Sequence, residues 1–403
     1  MDLRLRTVLP AVAVAASLVG AAAATAPGAG DAPRREGQTL EQDWQARTAG
    51  QQVLGGERTP GVPSVQRIRH DDVVFTVTVA PARPGPNLVR VDSRTADGGA
   101  HDHRAEPVRV GTAGLPDRDF VRARPRPGTD GLWAVVDLPP GTATVLLTHG
   151  RWHRVPFLLE TGDAGTPAAP VWRGSDGPEC LGAATGTTLA GDVPDGCPTD
   201  ALADGDAEAL TGVVDLLADR GVEELALRHD RSARSREARA LVARAAARRG
   251  VRLVGAGDTP GRRNALLVLS GWADAARSLA AVSRTPLRRQ PIRSDGTWLA
   301  PWLLTPGVVD TTAGAMVPLD FDIRSEAARA YSGALARYLP GQAPTATGYA
   351  AWRSALGEPP ATPTLHAATR AAYLPAEPGH AAHGTEIAWF PGGTVTPVGP
   401  LPR

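Results

Sequence analysis

The sequence predicts two folded parts of different class: an all-β sandwich at residues 69–162 and an α/β domain with a parallel sheet at residues 201–358. Short runs with the two-residue period of a strand, separated by Pro and Gly, predict the sandwich. Apolar runs of strand length that alternate with amphipathic helices predict the α/β domain. A chain of 403 residues, 42% hydrophobic, is long enough to form both cores.

The N-terminal residues 1–26 predict a signal peptide or a membrane anchor. Arg4 and Arg6 precede residues 7–24, which carry no charge, as in the basic and apolar regions of an export signal. Small residues at 22, 24 and 26 permit cleavage, but the apolar run is also close to the length of a membrane helix. We expect a secreted or extracytoplasmic envelope protein. Residues 27–68 lack periodicity and predict a linker or loosely ordered arm.

The sandwich is predicted strand by strand. The first run alternates Val73, Phe75, Val77 and Val79 with Val74, Thr76 and Thr78. This period of two predicts a strand with one buried face. Further strands are expected at residues 88–92, 108–110, 132–138, 142–148 and 153–159.

Two runs within the sandwich resemble a known module. VTVAPARPGPNLVRV (residues 77–91) and GLWAVVDLPPGTATVLL (residues 131–147) are similar to the immunoglobulin-like extracytoplasmic module of bacterial copper-resistance membrane proteins. The resemblance implies an immunoglobulin-like sandwich. Met1 and Met316, the only two Met residues, lie outside it, so the soft ligands that Cu(I) prefers are missing.

Four histidines of the sandwich form a candidate site for a divalent metal. The H-x-H pair His101 and His103 lies in one predicted turn, and His149 and His153 flank another. The alternative interpretation is that they are solvated loop histidines. Metal (copper) handling is therefore an alternative function.

The only two cysteines, Cys180 and Cys197, lie in a predicted connector at residues 163–200. In an exported protein they would meet an oxidising environment, and we expect them to form a disulfide.

The α/β domain shows helical stripes and strand runs in alternation. Helices are expected at residues 207–220, 235–249, 272–282, 325–338 and 349–356, and strands at 222–227, 251–254, 265–269 and 313–319. Residues 359–403 are predicted to form a C-terminal extension.

The order of these pieces resembles the type I periplasmic solute-binding proteins, in particular the branched-chain amino acid receptors. The resemblance rests on RGVEELALRHDRSARSREARALVARAAARRGVRLV (220–254), ALLVLSGWADAARSL (265–279), SDGTWL (294–299), TTAGAMVPLDF (311–321) and GYAAW (348–352). The chain that follows the sandwich is too short for two comparable lobes, so we expect one lobe to be short or absent.

Ligands of open parallel sheets bind beyond the carboxyl ends of the strands. Three loops are expected there, and they supply the candidate ligand-binding residues His229, Asp230, Ser270, Trp272, Asp295 and Thr297. The resemblance implies that Trp272 offers a cation–π face to a ligand ammonium and that Asp295 offers a counter-charge.

Enzyme signatures are missing from the sequence. It contains no G-x-S-x-G, no H-E-x-x-H and no Walker phosphate loop. We expect a non-enzymatic protein, without a cofactor, that binds or senses an amino-acid-like polar solute. Besides metal handling, a protein-interaction scaffold built on a degenerate receptor lobe, with an envelope protein as its partner, is an alternative. A nucleic-acid partner is not expected, because 43 basic residues nearly balance 42 acidic ones.

Overall fold

The computed structural model describes residues 51–402, except 57, 71, 98, 100–106, 151, 340–341, 371–388 and 391–392. These residues belong to one compact unit. The predicted signal peptide or anchor at residues 1–26 lies outside the described residues. Within the described ranges, no helix is long and apolar enough to cross a bilayer.

The N-terminal part consists of two antiparallel sheets. Their strands are β1 (Gln52–Gly55), β2 (Ser64–His70), β3 (Val73–Ala80), β4 (Gly85–Thr95), β5 (Arg109–Thr112), β6 (Val121–Arg122), β7 (Leu132–Leu138), β8 (Thr142–His149) and β9 (Trp152–Glu160). One sheet has the order β1-β2-β3-β4-β7, and the other has the order β6-β5-β8-β9.

The two sheets share one apolar core. Phe75 and Val77 of β3 belong to the same buried cluster as Val145 of β8 and Phe157 of β9. The structure thus has a β-sandwich with a strand at each of the six predicted positions. The relation to immunoglobulin-like modules stays a prediction.

The sandwich begins before residue 69, which corrects the prediction of a loosely ordered arm at 27–68. Strands β1 and β2 lie within that range, and β2 pairs with β3 along its whole length. The sequence SVQRIRH of β2 mixes polar and apolar residues, and some of its polar side chains are buried with hydrogen-bond partners. Gln66, for example, is buried and donates a hydrogen bond from Nε2 to the carbonyl of Leu158, 2.7 Å away.

The second part is a mixed sheet of seven strands among the described residues. They are β10 (Glu224–Arg228), β11 (Arg252–Gly255), β12 (Asn264–Val268), β13 (Thr297–Leu299), β14 (Gly314–Leu319), β15 (Thr364–Arg370) and β16 (Gly393–Pro400), in the order β11-β10-β12-β13-β14-β15-β16. Strands β10 to β14 pair in parallel, as predicted, whereas β15 is antiparallel to β14 and to β16.

Strands β15 and β16 correct the prediction of a separate C-terminal extension at 359–403. Strand β16 contains Pro397 and Pro400, residues that favour a loop in sequence analysis. Proline is tolerated on an edge strand, where its missing N–H faces no neighbour. Because β16 forms the edge of this sheet, its composition is compatible with pairing.

Seven α-helices lie within the described residues. They are α1 (Gly177–Leu189), α2 (Asp204–Asp219), α3 (Ala233–Arg248), α4 (Trp272–Arg284), α5 (Pro306–Val309), α6 (Glu326–Tyr338) and α7 (Ala346–Ala355). The apolar stripe predicted for α2 is buried at Leu210, Val213, Val214 and Leu217. Polar caps also start helices: the Ser232 hydroxyl accepts from the N–H of Ser235 at the beginning of α3.

Helix α1 corrects the prediction of an irregular connector at residues 163–200. Its sequence, GPECLGAATGTTL, has no apolar stripe because the helix is buried on several sides. Gly186 of α1 meets α7 so closely that a Cβ atom would lie 2.0 Å from the carbonyl oxygen of Gly348. Small residues therefore allow α1 and α7 to pack closely.

The predicted disulfide is present between Cys180 of α1 and Cys197, and both residues are buried. The two cysteines are 17 positions apart, so the bond closes a short loop onto the buried helix.

Replacing both cysteines, Cys180→Ala with Cys197→Ala, should lower the free energy of unfolding by about 3 kcal/mol, because the unfolded chain regains the entropy of this loop. Denaturant unfolding measures the loss. Reduction of the unmodified protein should produce a similar loss, and equal stability of all three forms would contradict a structural role for the bond.

Candidate functional site

A cleft lies between the sandwich and the α/β part. Its cavity volume is about 30 Å³, and it is partly open to solvent. Its wall combines residues from β4 and β7, from the loop before β7, from α1, from the start of α4, and from the segments around α6.

Aromatic side chains form the apolar wall of the cleft. Trp133, Trp272 and Tyr331 line it and are almost fully buried. Both indole N–H groups have internal partners: Trp133 donates to the carbonyl of Asp130 at 2.9 Å, and Trp272 to that of Trp302 at 2.8 Å. These rings therefore offer apolar surface to the cleft.

At one end of the cleft, the backbone of Gly128 lies close to the backbone of Trp272. Gly128 has a φ of +80°, and a Cβ atom there would lie 2.6 Å from the carbonyl oxygen of Trp272. Glycine is therefore required both by the conformation and by the space. The loop that carries Thr129 and Asp130 is brought against the first residue of α4 in this way.

Three polar atoms at the cleft are buried without a hydrogen-bond partner. They are Nε of Arg90, Oγ1 of Thr185 and Oε1 of Gln342. Arg90 is 4% exposed; its Nη2 atom pairs with Asp92 at 2.8 Å, and its guanidinium lies 5.6 Å from the ring centre of Trp133. Buried polar groups nearly always have partners, so three such atoms in residues that line one cleft are unusual.

A second polar cluster lies at the carboxyl edge of the parallel strands, around a buried ion pair. Arg234 of α3 donates from Nη1 and Nη2 to the two carboxylate oxygens of Glu179 of α1, at 2.7 and 2.9 Å. Thr347 of α7 donates to the same carboxylate at 3.0 Å, and the Arg234 guanidinium lies 4.2 Å from the ring centre of Trp302.

Aspartates surround this ion pair. Burial, with repulsion from Glu179 and Asp230, raises the pKa of Asp176 to about 6. Burial raises the pKa of Asp206 to about 7, against the opposing charge of Arg234. Burial also acts to raise the pKa of Asp230, but hydrogen bonds from the Gly271 backbone and from Ser232 outweigh it, and the pKa is lowered.

Three predicted ligand residues do lie at the carboxyl edge. Asp230 follows β10, and its Oδ2 atom accepts from the N–H of Gly271 at 2.6 Å, which joins the ends of β10 and β12. Ser270 follows β12, is fully buried, and its hydroxyl has no partner in the described structure. His229 is exposed, and its Nδ1 atom lies 3.3 Å from the carbonyl oxygen of Asp230. Of the six predicted residues, Trp272 is the one that lines the cleft.

Asp295 and Thr297 lie at the opposite edge, so the prediction that their loop lies at the carboxyl edge is wrong. Thr297 is the first residue of β13, and Asp295 precedes it. Because β12 and β13 are parallel, residues that precede β13 lie at the amino edge of the sheet. Asp295 pairs there with Arg220, 3.3 Å away.

The histidines of the metal hypothesis are only partly described. His149 is buried, and its ring centre lies 5.2 Å from that of Phe75. His101, His103 and the side chain of His153 lie outside the described residues. Among the residues that are described, no three His, Cys, Asp or Glu side chains are grouped to hold a metal ion. Metal handling stays a prediction.

Sequence reasoning missed most of the cleft. Arg90 gave a signal, because it follows Leu88 at the strand period and so occupies a buried face. Thr185 lies in a helix that was not predicted, and Gln342 lies in a loop. Neither Glu179 nor Arg234 belongs to a recognisable motif.

Solved structures with local similarity are substrate-binding and ligand-binding receptor proteins. An ABC transporter substrate-binding protein from Desulfitobacterium hafniense, in complex with Leu, is 13% identical, with a TM-score of 0.27, over 38% of this chain and 47% of that chain. An extracellular ligand-binding receptor from Rhodopseudomonas palustris HaA2 is 16% identical, with a TM-score of 0.29, over 38% and 49%. A branched chain amino acid ABC transporter periplasmic ligand-binding protein from Burkholderia xenovorans LB400 is 14% identical, with a TM-score of 0.28, over 44% and 55%.

The chain thus matches about half the length of these proteins. No protein family and no curated protein matches it. TM-scores this low do not establish a common fold, so the function has to be argued from the cleft.

Breaking the ion pair on one side should be costly, because it leaves a buried charge without its partner. Arg234→Met should lower the free energy of unfolding by about 3–5 kcal/mol, and the double variant Arg234→Met with Glu179→Met should recover part of that loss. Denaturant unfolding of the single and double variants measures the coupling. Additive losses would show that the two groups do not depend on each other.

The raised pKa of Asp206 predicts that stability falls as pH rises. The folded state holds the proton of Asp206 more tightly than the unfolded chain does. The stabilisation by this residue is therefore complete below its ordinary pKa of 3.8, and it is lost progressively as the pH rises from about 4 to about 7. Asp206→Asn should match the unmodified protein near pH 4 and exceed its melting temperature near pH 8. The exposed Asp195→Asn is the control, and parallel pH profiles for Asp206→Asn and the unmodified protein would contradict the assignment.

Proposed function

We propose that this protein binds a small polar solute, without chemical turnover, in the cleft between the sandwich and the α/β part. One observation carries the proposal: Arg90 Nε, Thr185 Oγ1 and Gln342 Oε1, all buried and without partners, belong to residues that line the same cleft. A cleft that served only as packing would leave these groups desolvated at a cost of about 1–3 kcal/mol each.

The chemistry of the cleft specifies the class of solute. Arg90 Nε–H and the Thr185 hydroxyl are donors for a carboxylate or carbonyl oxygen, and Gln342 Oε1 is an acceptor for an amine or amide. The rings of Trp133 and Trp272 accommodate a small apolar body. An amino-acid-like molecule combines these features.

The cleft is a better candidate than the carboxyl edge proposed from sequence. At that edge Arg234 pairs with Glu179 through Nη1 and Nη2, and Asp230 accepts internal hydrogen bonds, although Nε of Arg234 and the hydroxyl of Ser270 also lack partners. A solute would have to break these contacts. Of the six residues suggested by the sequence, Trp272 is therefore the one we retain.

An extracytoplasmic location fits the remaining features. The apolar segment at residues 7–24 favours export, and the buried disulfide between Cys180 and Cys197 is of the kind that persists in oxidising compartments. We propose that the protein acts at the cell envelope.

Thermal unfolding of the full chain against a panel of amino acids and small amides tests the proposal. A solute at a hundredfold excess over its Kd should stabilise the protein by about 2.7 kcal/mol. Thr185→Val should remove most of this shift, because it deletes the donor without changing the side-chain volume.

Ser270→Ala is the matched control, because it deletes an equally buried hydroxyl that also lacks a partner but lies at the carboxyl edge. It should keep the solute-dependent shift. If no member of the panel stabilises the protein, solute binding of this class is wrong. If Ser270→Ala loses the shift and Thr185→Val keeps it, the site lies at the carboxyl edge and not in the cleft.

A further inference from the structure

A basic loop leads from the end of α4 towards β13. Residues 284–293, with the sequence RTPLRRQPIR, contain four Arg and no acidic residue. This basic loop lies at the amino edge of the parallel sheet, because β13 begins after it. It is therefore separate from the carboxyl-edge cluster, and none of its residues lines the cleft.

Two large aliphatic side chains of the basic loop face solvent. Leu287 is 85% exposed and Ile292 is 81% exposed, whereas the next most exposed large hydrophobic residue of the described structure, Val398, is 60% exposed. Single exposed hydrophobic residues are common, but these two lie within six positions of each other in the same loop.

The backbone of the basic loop is fixed in place. The Gln290 side chain donates from Nε2 to the carbonyl of Thr285 at 2.7 Å, and Asn264, at the start of β12, donates from Nδ2 to the carbonyl of Ile292 at 3.1 Å. The N–H of Arg289 donates to the carbonyl of Pro286 at 2.7 Å. The exposed side chains are thus presented by a hydrogen-bonded loop.

Three of the four arginines of the basic loop have no acidic partner, whereas Arg293 is attracted by Glu224 and donates hydrogen bonds to Asn264 and Ala256. Arg284, Arg288 and Arg289 are exposed, and within the described residues their side chains make no ion pair or hydrogen bond. Arg262 and Arg263, also exposed and without an ion pair, directly precede β12 at the same edge. Five arginines without ion pairs therefore lie at this edge of the sheet, which also carries Glu223, Glu224 and Asp295.

We propose that the basic loop docks this protein on an anionic lipid surface, with Leu287 and Ile292 entering the interface between headgroups and acyl chains. Arginines that neutralise lipid headgroups around exposed aliphatic side chains are the combination that interfacial binding requires. Nucleic acid would use the charges but would leave the two aliphatic side chains unused. The apolar segment at residues 7–24 independently favours a protein that reaches a membrane.

Site-specific fluorescence tests this docking without interference from the N-terminal segment. Cys180 and Cys197 are bonded to each other, so a cysteine introduced by Leu287→Cys is a free thiol for an environment-sensitive dye. Phosphatidylglycerol vesicles should shift its emission to the blue, and pure phosphatidylcholine vesicles should not. A dye on Val398→Cys, on edge strand β16, should stay unchanged.

A charge variant provides the second measurement. The full chain with Arg284→Gln, Arg288→Gln and Arg289→Gln should bind phosphatidylglycerol vesicles roughly a hundredfold more weakly in co-sedimentation. The control carries Arg236→Gln, Arg239→Gln and Arg244→Gln, which removes the same charge from the exposed face of α3 and should bind as the unmodified chain does.

Three results would overturn the proposal. The first is an equal loss of binding in both triple variants, which would indicate a response to net charge alone. The second is an equal blue shift at positions 287 and 398. The third is binding of soluble polyglutamate by the basic loop in the absence of vesicle binding, which would assign the loop to an acidic protein partner.

Discussion

The buried ion pair between Arg234 and Glu179 is the interaction on which the arrangement of the α/β part depends. It joins the first turn of α3 to the first turn of α1, and Thr347 adds α7 to the same carboxylate. A bidentate pair in a dry environment fixes orientation as well as distance, because both hydrogen bonds are lost together when the planes rotate. Since Thr185 also belongs to α1, the ion pair positions one wall of the cleft.

Burial and protonation reduce the negative charge around this ion pair. Asp206 has a pKa raised to about 7 and Asp176 a pKa raised to about 6, so both carboxyl groups are largely neutral in mildly acidic conditions. Asp230 instead stays ionised because backbone and hydroxyl groups donate to it. Arg234 thus faces one fully desolvated carboxylate. Additional negative charge would have to be solvated in a place where water is largely excluded.

The sequence predicted the elements whose pattern depends on a single buried face. The strand period at Val73–Val79 and the stripe of Leu210, Val213 and Leu217 correspond to β3 and α2. Periodicity fails where an element is covered on several sides, as in α1, or is only three residues long, as in β13. Because β13 was not predicted, Asp295 was not recognised as a residue that precedes a parallel strand. It was therefore assigned to the wrong edge of the sheet.

The candidate site could not be predicted because its parts come from distant positions. Arg90 belongs to the sandwich, Thr185 to the disulfide-linked helix and Gln342 to the segment before α7, and no local motif connects them. Their partnerless atoms become visible only when the sandwich and the α/β part are packed together. A solute that satisfied all three would add contacts to both parts at once. Its binding free energy would then stabilise the packing of the sandwich against the α/β part. Binding of a solute at this place could therefore change the stability or the relative population of conformations of the protein.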